Sequence, residues 1–160
     1  MSSTTQLPAL TPVHDHLAAL AGTWTGAENL APSPWAPGGT ATGRHDFAVA
    51  AGGFALTQDY VEERDGGVSL RGHGVFAVDP ASGEVLWFWF DSIGFPPAAP
   101  SRGRLDAAGT AMVLEKTTPR GTQRATFARD GDVLHHRIEA RLPDAPSFAP
   151  LVTATYRRAA

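Results

Sequence analysis

The sequence predicts an all-β protein: a single antiparallel, up-and-down β-barrel of about ten strands, preceded by one short helix. Three observations carry that prediction. Residues 68–91 hold two apolar runs around the turn Pro80-Ala81-Ser82-Gly83, ending in Leu86-Trp87-Phe88-Trp89-Phe90. A strand pair that is apolar on both faces does not suit a half-wet sheet and calls for cover on each side. After Gly22, short β-type runs alternate with tight-turn chemistry along the whole chain. Glycine and proline are abundant, at 17 and 13 of 160 residues, while Lys116 is the single lysine, a balance that fits a domain punctuated by loops.

Residues 1–12 are small and mostly polar and read as a flexible tail, not as a secretory signal. Residues 13–160 read as one barrel domain. The helix is expected over 11–20: Thr11 caps it, Pro12 takes the first helical position and Gly22 stops it. Val13, Leu17 and Leu20 form one apolar stripe. His14 and His16 point to different sides, a poor metal pair, and are expected on the solvated face.

Strands are expected near 23–29, 40–50, 54–64, 68–79, 84–91, 102–106, 110–118, 122–130, 132–142 and 151–158. The short joins Asp65-Gly66-Gly67, Ala107-Ala108-Gly109, Pro119-Arg120-Gly121 and Asp130-Gly131 make sequence neighbours pair in space. Two longer proline-bearing loops, 30–39 and 92–101, are expected to be stiff. Trp35, in the first, either anchors that loop or lines a ligand entrance.

Register follows by counting. With Asp79 opposite Glu84, Phe76 faces Trp87, Gly74 faces Trp89, Gly72 faces Asp91, Val75 faces Phe88 and His73 faces Phe90. With Asp65-Gly66 as a two-residue turn, Arg64 faces Gly67. Unbroken pairing then puts Gln58 opposite His73, Tyr60 opposite Arg71, Leu56 opposite Val75 and Phe54 opposite Ala77. A slip of one residue would exchange the faces. One face so gathers Phe54, Leu56, Gln58, Tyr60, Arg71, His73, Val75, Leu86, Phe88 and Phe90. It combines apolar walls with a few polar handles, the makeup of a small-molecule pocket. The opposite face, with Trp89 against Gly74 and the carboxylates Asp59 and Asp91, is the alternative lumen. In the ninth strand Leu134, His136 and Ile138 alternate with polar residues, which puts His136 inside.

Gly22-Thr23-Trp24 after a short helix, with an arginine in the last strand, is similar to the calycin signature of lipocalins and fatty-acid-binding proteins. In that superfamily the tryptophan packs at one barrel end against the arginine. Gly43-Arg44, Gly53-Phe54, Asp59-Tyr60, Gly72-His73-Gly74-Val75-Phe76, Trp89-Phe90-Asp91-Ser92 and Thr155-Tyr156-Arg157-Arg158, taken with Pro34-Trp35 and Pro37-Gly38-Gly39, resemble a bacterial family of lipocalin-like domains of unknown function. The resemblance runs from His14 to Arg158. It implies a calycin-type barrel and brings no catalytic residues. Nitrobindins, a haem-binding calycin family, share the opening Gly-x-Trp and take their axial histidine late in the barrel. The last strand here has none, which speaks against haem and leaves His73 and His136 as the histidines to weigh.

The chemistry left open is narrow. No cysteine means no thiol catalysis and no zinc–thiolate or iron–sulfur site. A net charge of −3 gives no basic footprint for nucleic acid. No apolar run approaches a membrane span, so a cytoplasmic protein is expected. No phosphate loop, nucleophile elbow or zinc-protease motif is present. The expectation is therefore a carrier or binder of a small, mainly apolar or amphipathic ligand, without cofactor or metal. An acidic end of that ligand would be held by Arg71, Tyr60, Gln58 and His73. A cofactor-free isomerase or cyclase with His73 as acid–base is the alternative, and a filled structural barrel a third. A homo-oligomer is compatible with each.

Overall fold

Ten strands succeed one another around a closed barrel in the computed structural model, which describes residues 5–34 and 37–160. The helix α1 (Pro12–Ala18) comes first. The strands are β1 (Gly22–Leu30), β2 (Gly39–Ala50), β3 (Ala55–Arg64), β4 (Gly67–Val78), β5 (Val85–Asp91), β6 (Ser101–Leu105), β7 (Ala111–Thr118), β8 (Gly121–Asp130), β9 (Val133–Arg141) and β10 (Ala149–Arg158). Each pairs antiparallel with its successor, and β10 closes on β1 through Trp24–Arg158 to Leu30–Val152. The up-and-down meander read from the turn spacing is the one observed. Closure gives each strand a neighbour on both sides, although β5 meets β6 only over Val85 to Trp87.

The β4–β5 register is the one counted from the sequence, with Phe76 opposite Trp87, Gly74 opposite Trp89 and Gly72 opposite Asp91. The β3–β4 register is not. The turn forms as expected, with Asp65 and Gly66 at positive φ and Arg64 opposite Gly67. Glu63 then faces Val68 while Glu62 faces Leu70, so Ser69 is an extra residue in β4. Its hydroxyl donates to the Glu62 carboxylate at 2.7 Å. This bulge shifts every later pair by one. Gln58 faces Gly74, Tyr60 faces Gly72, and His73 faces Asp59.

The helix plugs one end of the barrel. Leu17 and Leu20 reach the core formed around Trp24, Phe47, Phe76 and Phe127. Trp24 is fully buried and donates its indole proton to the Leu20 carbonyl at 2.8 Å. The Arg158 guanidinium lies 4.2 Å over its ring and donates to the carbonyls of Ala19 and Ala21. One cation thus ties the last strand to the helix terminus and the first strand. His14 departs from its expected solvated position. It is buried edge-on against Phe54, and the Thr11 amide donates to its Nδ1. No helix among the described residues is long and apolar enough to cross a membrane.

Candidate functional site

Core side chains fill the barrel at the helix end and leave a cavity of about 700 Å³ at the other. That volume lies within the range of small-molecule sites. Leu30, Tyr60, Trp87, Trp89, Ile138 and Tyr156 supply much of the wall, and Ser33, Pro37 and Ile93 bring both proline-bearing loops to the mouth. Two glycines of β4 make room for the indoles. A β-carbon at Gly72 would enter the Trp89 ring, and one at Gly74 would sit 2.5 Å from Gln58 Oε1 and 2.7 Å from Trp87 Nε1.

Polar groups in the wall are ordered by hydrogen bonds whose direction can be assigned. Trp87 Nε1 only donates, and it lies 3.0 Å from Gln58 Oε1. This orients the amide, so Gln58 Nε2 donates to His45 Nδ1 at 3.0 Å. His45 therefore carries its proton on Nε2, a buried nitrogen with no hydrogen-bond partner among the described residues. Burial holds the His45 pKa well below the usual imidazole value, with His136 the second cause. His136 is the opposite tautomer. Its Nδ1 lies 3.0 Å from the Thr126 carbonyl, which can only accept, so its Nε2 keeps a lone pair. Burial lowers its pKa to about 4. Both rings are neutral at physiological pH.

A second group backs the cavity. Tyr60 and Tyr156 line it and donate inward to Glu28, at 2.8 and 2.5 Å. Gly43 lies against that carboxyl, where a β-carbon would collide with it. Burial raises the Glu28 pKa above the usual carboxylate value, against the two tyrosine bonds that lower it. Burial, then the neighbouring Glu28 charge, pushes both tyrosine pKa values far up, so both stay protonated. Nearer the mouth, Arg64 is engaged at Nε by Glu62 and at a terminal nitrogen by the Pro37 carbonyl. Glu62, Asp65 and Asp91 line the cavity as well, so carboxylates outnumber this one cation.

The bulge at Ser69 decides where the sequence-derived candidates lie. Gln58, Tyr60, Trp89 and His136 are in the cavity wall. Leu56 points inward but is packed in the filled core. Arg71, His73, Val75, Leu86, Phe88 and Phe90 are on the outer face, since their partners alternate with the inward Gly72, Gly74, Phe76, Trp87 and Trp89. Phe54 stands outside the strands, exposed beside His14. The polar cluster expected around Arg71 and His73 is therefore split between two sides of the sheet. His73 meets Asp59 at 2.7 Å in solvent, which removes the geometric basis for its role as an enclosed acid–base. Trp35 lies outside the described residues.

His45, Glu28, Glu62 and Tyr156 were not among the candidates, yet a signal for them existed. Trp24 fixes the inner face of β1, and Glu28 is four residues on. In β2, Ala41, Gly43, His45 and Phe47 alternate with Thr42, Arg44, Asp46 and Ala48. Parity alone places His45 inside.

Barrels of the same fold are found among known proteins. The family described as "Protein of unknown function (DUF1579)" matches residues 10–158. The crystal structure of Rv2717c from M. tuberculosis superposes with a TM-score of 0.74 at 20% identity, covering 95% of this chain and 100% of that one. The S-type phycobiliprotein lyase CPES from Guillardia theta superposes with a TM-score of 0.67 at 12% identity, covering 92% and 93%. At such identities the likeness is one of fold. None of the curated proteins matches.

Proposed function

The chain belongs to the DUF1579 family of proteins of unknown function, and from its barrel interior we propose that it binds a small, mainly apolar, uncharged molecule. The observation that carries this reading is the cavity of about 700 Å³ in which apolar side chains alternate with a few oriented polar groups. A barrel with a structural role alone would gain stability by filling that space. Charge argues for an uncharged occupant. Arg71, on which an acidic end depended, faces outward, and Arg64 is already paired with Glu62. An anionic head inside would meet Glu62, Asp65 and Asp91.

Binding of N-phenyl-1-naphthylamine, a neutral probe that brightens in apolar surroundings, tests the proposal. Trp87 and Trp89 line the cavity and give a second readout through energy transfer to the probe. Saturable one-to-one binding is expected for the parent. Ile138→Trp, which fills the wall, should weaken it at least about tenfold with folding retained, because the probe's space is lost. No binding to the parent, or equal binding to the filled variant, would contradict the proposal.

A further inference from the structure

His45 and His136 stand out because each has one nitrogen committed to the protein and one left over, and the leftovers are of opposite kind. Gln58 donates to His45 Nδ1, leaving an N–H on Nε2. The Thr126 carbonyl accepts from His136 Nδ1, leaving a lone pair on Nε2. Both residues line the cavity. Their rings are 6.0 Å apart between centroids and nearly perpendicular, at 80°. Phe47 and Tyr60 stack on the His45 ring, at 5.7 and 4.6 Å, and Tyr156 meets it edge-to-face at 4.6 Å, so the rings around it offer its N–H at most a π face. A π face is a weak substitute for an acceptor, and a buried donor without one is costly. The tyrosine hydroxyls do not help, because both are turned to Glu28.

We propose that His45 and His136 together hold a hydroxyl group of the bound molecule, its oxygen accepting from His45 Nε2 and its proton going to His136 Nε2. This rests on occupancy of the barrel and adds the chemical class: a neutral alcohol or phenol that enters hydroxyl first. Two hydrogen bonds of about 2.8 Å through one oxygen join nitrogens up to about 5.6 Å apart, a separation that rings 6.0 Å apart between centroids allow. His45 Nε2 is sealed from solvent, so the hydroxyl reaches it only at the innermost point of the cavity and with a small shift of the surrounding rings. Both imidazoles being neutral at physiological pH suits an uncharged partner. A ketone or ether satisfies His45 alone, and a hydrocarbon satisfies neither ring.

Three compounds of one shape separate these arms: 2-naphthol, 2-methoxynaphthalene and 2-methylnaphthalene, each displacing N-phenyl-1-naphthylamine from the parent, His45→Phe and His136→Phe proteins. In the parent, 2-naphthol should bind about tenfold or more tighter than 2-methylnaphthalene. In His45→Phe the ether should fall to the level of the hydrocarbon, and the naphthol should keep only the part of its lead that donation to His136 gives. In His136→Phe the naphthol should lose its lead over the ether, while the ether keeps its lead over the hydrocarbon. A readout on the unaltered protein accompanies this. In long-range ¹⁵N–¹H spectra the protonated Nε2 of His45 should move on adding 2-naphthol and stay in place on adding 2-methylnaphthalene. An unchanged naphthol-to-hydrocarbon ratio in His45→Phe, or an unmoved His45 Nε2 signal, overturns the proposal. Equal displacement by all three compounds overturns it while leaving the cavity reading intact. Failure of all three to displace bound probe from the parent overturns the proposal alone, and failure of the probe itself to bind overturns the cavity reading with it.

Discussion

Gly74 carries a constraint that a β-carbon would break. That atom would press on the hydrogen bond between Gln58 and Trp87, the contact that fixes the tautomer of His45. Gly74→Val should therefore disturb both the fold and the polarity of the site. Overpacking of a rigid wall costs about 1–3 kcal/mol, and the lost Trp87–Gln58 bond adds to it. Urea unfolding should show a fall of at least that size; a midpoint within error of the parent would contradict the placement of these side chains. His136 supplies a pH test. Its folded pKa is about 4, below the 6.5 of an unfolded imidazole. The stability it contributes is full above pH 6.5 and is lost as pH falls toward 4, on the order of 3 kcal/mol across that window. Glu28, with its raised pKa, acts in the opposite sense, as its contribution is full below 4.5 and is lost as pH rises through its folded value. The difference between parent and His136→Phe isolates the histidine. That difference should shrink by this amount between pH 7 and pH 4, and a constant difference would contradict a neutral buried His136. The inward place of His136 was legible from alternation, which needs no long-range register, and the calycin resemblance implied that Trp24 packs against a last-strand arginine, which is Arg158.

Strand β4 marks where sequence reasoning reached its limit. All ten strands were legible from their turns, and the β4–β5 pairing could be counted because no extra residue interrupts it. The β3–β4 pairing failed two residues beyond a correctly read turn. A bulge leaves no period-two signature: Val68, Ser69 and Leu70 alternate as any strand start does. Its consequence is large, since one extra residue sends Arg71 and His73 outward and lets Gly72 and Gly74 face Tyr60 and Gln58. Ser69 also braces Glu62, its hydroxyl donating to the carboxylate at 2.7 Å. Ser69→Ala should cost about 1–2 kcal/mol through that charge-assisted bond. Deleting Ser69 is a different event. It forces either the loss of the turn or the burial of Arg71 and His73, and should abolish cooperative thermal unfolding. A deletion variant that melts like the parent would show the bulge to be dispensable.

For the whole molecule, closure of the sheet resolves what the aromatic hairpin left open. Both faces of β4 and β5 carry apolar residues, but only one faces the lumen, where Trp87 and Trp89 stand over the two glycines. The helix and the Trp24–Arg158 contact seal one end, which leaves the other for the cavity. On the proposed reading a small neutral molecule binds in that cavity and not on the outer aromatic face of Phe88 and Phe90. Crystals of the parent grown with 6-bromo-2-naphthol test this most directly, because bromine is located by its anomalous scattering independently of the protein map. The expected result is one bromine site inside the barrel, with the naphthol oxygen between His45 and His136 and the ring system against Trp89. Bromine found only on the outer face beside Phe88 and Phe90, with the barrel interior unchanged, would contradict the account.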